Sequence, residues 1–348
     1  MAKMELERDT MSRSVQNQEE QIRQVQALVF EGIGSDSWAA GDDGTVRADL
    51  ENLHSRLKSW AKKYAIEDMR EIRKLVAEEY NTFIQLLAEV VHLNSGVSSP
   101  IEHLESPLMN KKSPAMCIQG LLAHHVYSRV ISQPFFSKPE GVSSASKMLT
   151  ICYYIDNEYK VDQNESHMLR SRTLRLLATP PPSANQGNGT HDSYRALQKA
   201  TCRELAGVFY NSPARHLIKP ASRADGEAAS HCFNDLESIM QYAGELSHRL
   251  WSRRTTLRVR TLHDLRETPF REGFEYMRAH PLHRLYEDDD RCDGWFASVV
   301  THPAVVGLGS SDGKDYSTPR VWIKAEVWLA EDAANGAARG GEESRVYK

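Results

Sequence analysis

Between residues 46 and 64 the large apolar side chains stand at Val46, Leu50, Leu53, Leu57, Trp60 and Tyr64. Intervals of four and three residues alternate without interruption, which places all six along one face of an α-helix. A helix with so narrow an apolar line is stable only when another helix or another chain covers it. The expectation is therefore a mainly α chain with a bundle-like body. The line is long enough to raise a coiled coil, and it is a candidate interaction seam. Trp60 and Tyr64 are bulky for a two-stranded core, however, and favour cover from within the chain.

Similar periodicity recurs downstream. Residues 14–31 read as a polar helix with a thin line of Val15, Ile22, Val25 and Val29, and the Gly- and Asp-rich residues 32–44 read as a loop. Asp43 or Thr45 is placed to cap the seam helix. Met69, Ile72, Val76, Tyr80, Phe83, Leu87 and Val90 extend one helical pattern to Ser95-Gly96. Further helices are expected over 114–132, 143–158, 164–177, 192–210 and 230–251. Pro180-Pro181-Pro182 and the polar run after it interrupt them. Beyond Arg253 the pattern changes: 256–262, 297–308 and 320–329 are rich in Val, Ile, Thr and Trp, although a helix continuing from Trp251 accounts for 256–262 nearly as well as a strand. The last two flank Ser310-Ser311-Asp312-Gly313, the signature of a small C-terminal β hairpin. The expected organisation is a polar helix and loop (1–44), a helical region (45–178), a linker (179–191), a second helical region ending in the hairpin (192–330) and a disordered tail (331–348).

Over 348 residues, 43 basic side chains face 47 acidic ones, a formal net charge of −4. No global field draws the chain to nucleic acid or anionic membrane, so such binding needs a local patch. Cys117, Cys152, Cys202, Cys232 and Cys292 are scattered and odd in number, as reduced thiols inside a cell would be. The first thirty residues open on alternating charges, and no apolar run reaches the length of a membrane span. The expectation is an intracellular protein of the cytoplasm or nucleus, with no membrane partner.

Several clusters invite chemistry. Asp289, Asp290 and Asp293 match D-D-x-x-D, the pattern with which class I terpene and isoprenoid synthases hold Mg²⁺ against a diphosphate. Their second motif, N-D-x-x-S-x-x-x-E, is met only by Asn234, Asp235 and Ser238; Tyr242 replaces the Glu, and the order of the two motifs is reversed. The charge run around the acids reads better as a solvated turn. Residues 307–314 mimic a phosphate loop, but Leu308 and Asp315 stand where Gly and Ser or Thr are needed. His280-x-x-His283 with Cys292, and the adjacent pairs His231-Cys232 and His124-His125, lack the spacing of a zinc site. Arg253, Arg254, Arg258 and Arg260, beside Arg249 and Trp251, form a basic cluster that would suit nucleic acid, although pairing with nearby acids accounts for it more simply.

Several stretches resemble a family of filamentous-ascomycete proteins of unknown function. They are 57–64 (LKSWAKKY), 118–127 (IQGLLAHHVY), 133–136 (QPFF), 171–177 (SRTLRLL) and 250–255 (LWSRRT). The C-terminal part is the most similar, from Asp289-Asp290 through 302–306 (HPAVV) to 321–329 (VWIKAEVWL). The resemblance covers residues 45–330 and implies a shared fold; it carries no activity and no site residue. Helical periodicity without a complete catalytic or cofactor motif points to a non-enzymatic protein-interaction or scaffold protein that needs no cofactor and has a protein as its partner. A Mg²⁺-dependent diphosphate enzyme and a nucleic-acid-associated nuclear protein are the alternatives.

Overall fold

The computed structural model describes residues 42–92, 113–137, 163–178, 189–223, 226–286, 289–309 and 315–330. The helices expected over 14–31 and 143–158, the proline-rich interruption and the C-terminal tail lie outside the described residues. Among the described residues the chain is mainly α, with a smaller β region formed by its last third.

Helix α1 (Asp43–Tyr64) carries the seam. Leu50, Leu53 and Leu57 are fully buried, and Val46, Trp60 and Tyr64 nearly so. The cover comes from the chain's own α3 (Ser113–Val126), α6 (Glu227–Trp251) and strand β5 (Pro319–Ile323). Polar ends of the seam find partners there too: Trp60 Nε1 donates to the Cys232 carbonyl at 3.2 Å and Tyr64 Oη to Asp235 Oδ2 at 2.6 Å. The seam is thus filled from inside and offers no free apolar line to a second chain. Neither expected residue caps the helix by its side chain. Asp42 is the N-cap and makes no such bond, while the Asp43 carboxylate binds Arg253 at 3.4 Å and Arg320 at 2.7 Å, tying the helix start to the β region.

The single helix expected over 69–90 is two elements. A 3₁₀ turn, Met69–Lys74, ends at extended Leu75 and Val76, and α2 (Ala77–Leu87) follows. A 3₁₀ turn repeats every three residues, so Met69 and Ile72 keep the buried spacing that reads as α-helix in the sequence. Helix α3 is buried on nearly all sides, and a Cβ on its Gly120 would stand 2.6 Å from the Val300 carbonyl oxygen. The helix therefore crosses the sheet backbone at a point where only glycine fits. Its last turn widens into a π turn, Tyr127–Ile131, closed by Ser132 N–H donating to the Tyr127 carbonyl at 2.8 Å. Side chains of α6 meet the carbonyls at this end as well. Ser247 Oγ donates to Val130 at 2.8 Å and Trp251 Nε1 to Ile131 at 2.7 Å. Helices α4 (Gln163–Ala178) and α5 (Gly189–Asn211) complete the helical body. Arg170 of α4 caps the C-terminal end of α6, donating to the carbonyls of Arg253 at 3.0 Å and Thr255 at 2.9 Å.

In place of one small hairpin, the described residues form two three-stranded sheets, ordered β2-β6-β3 and β1-β4-β5. The strands are β1 (Thr256–Arg260), β2 (Met277–Ala279), β3 (Phe296–His302), β4 (Ala304–Leu308), β5 and β6 (Ala325–Ala330), with one helical turn, α7 (Leu262–Leu265), after β1. β3 pairs antiparallel with β6, His302 opposite Glu326, and β4 with β5, Val305 opposite Ile323. The same two arms pass from one sheet to the other at Pro303 and Lys324. Proline brings no amide to a ladder, which accounts for the break between β3 and β4. Residues 90–92 extend the free edge of β3, with His92 N–H donating to Ser298 at 2.7 Å and Val300 N–H to Val90 at 2.9 Å.

One hydrophobic core runs from Val46 to Trp328 and draws on both sides of residues 179–191. A smaller core, including Leu265, Phe270, Met277 and Cys292, packs on the β2-β6-β3 sheet. No described helix is long and apolar enough to cross a membrane.

Candidate functional site

Charged side chains rarely occupy the middle of an apolar strand. In β6 one does: Glu326 stands between Ala325 and Val327, with 2% of its surface exposed. A buried carboxylate must be met by cations and donors. Here α1 supplies His54, whose Nε2 lies 3.3 Å from Oε2, and Lys58, whose Nζ lies 3.4 Å from Oε1. β2 and the turn after it supply Arg278 at 3.9 Å and His280 Nε2 at 3.6 Å. Thr301 Oγ1 donates to Oε1 at 3.1 Å. Burial by itself would raise the Glu326 carboxyl, but the hydrogen bond and attraction of His54, with Lys58 and His280, outweigh it and hold the group well below the usual carboxylate range. Burial pushes His280 down to about 4 despite the opposing Glu326.

The network continues inward. His302, fully buried, packs edge-on against His54 with ring centroids 4.5 Å apart, and its Nε2 is 2.9 Å from Tyr127 Oη. Burial drives His302 well below its ordinary value and raises the Tyr127 phenol, so both are neutral near pH 7. A neutral imidazole has one donor and one acceptor nitrogen. Among the described residues the buried Nδ1 atoms of His54 and His302 have no hydrogen-bond partner, so neutral His302 keeps one nitrogen unmatched. Among the described residues no group of three His, Cys, Asp or Glu side chains is disposed to hold a metal ion. The cluster ties α1, β2 and β6 together around a buried carboxylate.

Tyr127, itself only 1% exposed, is also among the residues around a small recess of ≈ 100 Å³ between the α3 end and the sheets, with Gly120, Ser128, Leu262, Val300 and Pro303. Glu89, Thr261 and Leu262 also border a shallower polar ledge of ≈ 360 Å³, which His92, His263 and Arg266 complete. His124, at the rim, is 3.7 Å from Glu89; burial lowers its pKa and Glu89 works against that. An apolar pit thus opens beside a polar shelf.

No known protein family, no curated protein and no solved structure matches this chain. The geometry therefore carries the functional argument.

The sequence candidates fall elsewhere. Asp289, Asp290 and Asp293 are not on a helix but in the turn before β3, so they lack the one-turn spacing that metal ligation on a helix requires. Asp289 pairs with Arg291 at 3.1 Å, and Asp293 Oδ1 accepts the Glu272 N–H at 2.7 Å. The arginines do not make one basic surface either. Arg253 is buried against Asp43 and Trp322, Arg254 is half-buried, Arg258 is exposed, and Arg260 lies 4.0 Å over the Tyr276 ring. His283, paired in the sequence with His280, instead accepts the Leu329 N–H at 3.0 Å and stacks on Trp328. Tyr127, His302, His54 and Glu326 carry no local sequence signal: Lys324 and Glu326 alternate with Ile323, Ala325 and Val327, a pattern that reads as the solvent face of a strand.

Proposed function

We propose that this chain is a non-enzymatic interaction protein that seats an apolar side chain of a protein partner in the Tyr127 pit. The pit opening onto the polar ledge is the observation that carries the reading. Peptide recognition commonly buries one anchor in a dry pocket and satisfies the polar backbone and flanks beside it. A recess of ≈ 100 Å³ suits one mid-sized side chain; an engineered apolar cavity of about 150 Å³ holds benzene. The neutral Tyr127–His302 pair behind the wall fits a fixed surface better than a proton-transfer centre. Four described cysteines are buried free thiols, which supports a place inside the cell.

Ser128→Trp fills the pit from a partly exposed position. A partner that co-purifies in stoichiometric amount with the wild type should be lost with this variant while the melting temperature holds. Equal recovery from both proteins would sink the reading. So would substrate turnover that disappears with Tyr127→Phe or His302→Ala.

A further inference from the structure

Helices α5 and α6 border a larger recess, ≈ 410 Å³, whose walls among the described residues include Arg195, Lys199 and Arg249 against the one carboxylate of Glu245. Arg195 and Lys199 stand one turn apart on α5, both exposed, and neither makes an ion pair or hydrogen bond with a described residue. Like charges at that spacing repel, so leaving them unpaired costs helix stability that a bound anion would restore. Arg249 is anchored by Asp49 at 2.9 Å, which fixes its guanidinium beside the opening. The recess adds no buried negative charge: Cys202 is held neutral, its thiol pushed up to about 12 by burial. A Cβ on Gly244 would stand 2.9 Å from Cys202 Sγ, so the two helices meet closely there.

The remaining polar groups narrow the ligand. Gln198 Nε2 donates to the Gly244 carbonyl at 3.0 Å and Gln241 Nε2 to Glu237 Oε1 at 3.1 Å. Both amide oxygens are left to accept from hydroxyl groups. The volume lies at the lower end of the small-molecule range, about 300–1,000 Å³. Arginine and lysine together are the side chains that best match phosphate oxygens.

We propose that this recess binds a small phosphorylated polyol of the sugar phosphate class. Its phosphate would lie among Arg195, Lys199 and Arg249, and its hydroxyls on Gln198 and Gln241. The site lies on other elements than the Tyr127 pit and does not depend on it.

His248, which lines the same recess, reports on occupancy. Burial lowers its pKa, and the fields of Arg195 and Arg249 lower it further, so an anion between them should raise it. The experiment is an NMR titration of the full-length protein with glucose 6-phosphate, inorganic phosphate and glucose, following the His248 ring. The phosphate ester should saturate, raise the His248 pKa and bind at least tenfold more tightly than either inorganic phosphate or glucose. The Arg195→Ala/Lys199→Ala double variant, changed only at exposed positions, should melt no lower than the wild type and bind at least tenfold more weakly. Absence of saturation up to about 10 mM would overturn the site, since affinity that weak is not recognition. Equal binding by the double variant would do the same. Inorganic phosphate binding as tightly as the ester would overturn the polyol assignment.

Discussion

Replacing Glu326 by Gln keeps the shape of the side chain and removes its charge, and the surroundings set the size of the effect. Lys58 and Arg278 reach the carboxylate from side chains 41% and 36% exposed, so both can turn to water, and their loss adds little. His54, His280 and Thr301 stay buried. Thr301 can donate to the amide oxygen of Gln as it does to Glu. His54 loses its only charged acceptor at 3.3 Å while its Nδ1 already lacks a partner. A hydrogen bond to a charged group contributes about 1.5–3 kcal/mol, and an unsatisfied buried group costs about 1–3 kcal/mol. The Gln amide recovers part of this, so E326Q should lose about 2–4 kcal/mol at pH 7. Urea unfolding followed by tryptophan fluorescence measures it. Pairing E326Q with His54→Leu in a double-mutant cycle should show a coupling of about 2 kcal/mol. A variant within about 0.5 kcal/mol of wild type, given the usual size of surface effects, would refute the idea that this cluster ties α1 to the β region. So would simple additivity with H54L.

Other expectations concern acid, packing and the seam. His280 is held at about 4 when folded and titrates near 6.5 when unfolded, so the unfolded chain binds the extra proton between those values. That contribution to stability should fall by about 3 kcal/mol from pH 7 to pH 4; urea midpoints that stay flat across this range in wild type would contradict it. Leu57→Ala, at a fully buried position, should lose about 2–5 kcal/mol. Light scattering should show the same mass as wild type, whereas a lowered mass would return the seam to an interface between chains. Gly307→Val should destabilise by at least about 1–3 kcal/mol, because even a Cβ there meets the Trp322 ring at 2.5 Å. Unchanged thermal melting would mean the strand can move away.

Elements with strong local periodicity were legible in the sequence. The seam helix is found over Asp43–Tyr64, the helix expected from Ser230 begins at Glu227 and ends at Trp251 as read, and the strand expected at 256–262 is β1, Thr256–Arg260. What failed shares one cause: the deciding partner is distant in sequence. The break at Leu75 and Val76 falls inside an unbroken apolar pattern in which Val76 is 65% exposed, so periodicity does not see it. Sheet exchange at Pro303 and Lys324 depends on β1 and β2, which precede the two arms and add one to each end. The candidate site is more distant still. Tyr127 and His302 lie 175 residues apart. Aspartates and arginines that cluster in sequence drew attention instead, and the fold spends them on local turns and on Asp43.

The cover of α1 also has a consequence for the order in which the chain is made. Trp60 waits for the carbonyl of Cys232, 172 residues later, and the strand that completes its shelter ends only at Ile323. At about 5–20 residues per second of synthesis, the interval to Cys232 alone is roughly 10–30 s. Throughout it the apolar seam of α1 has been translated and lacks the α6 surface that will hide it. A nascent chain of this design exposes that seam early and closes it late, which makes α1 a natural client for chaperones on the ribosome.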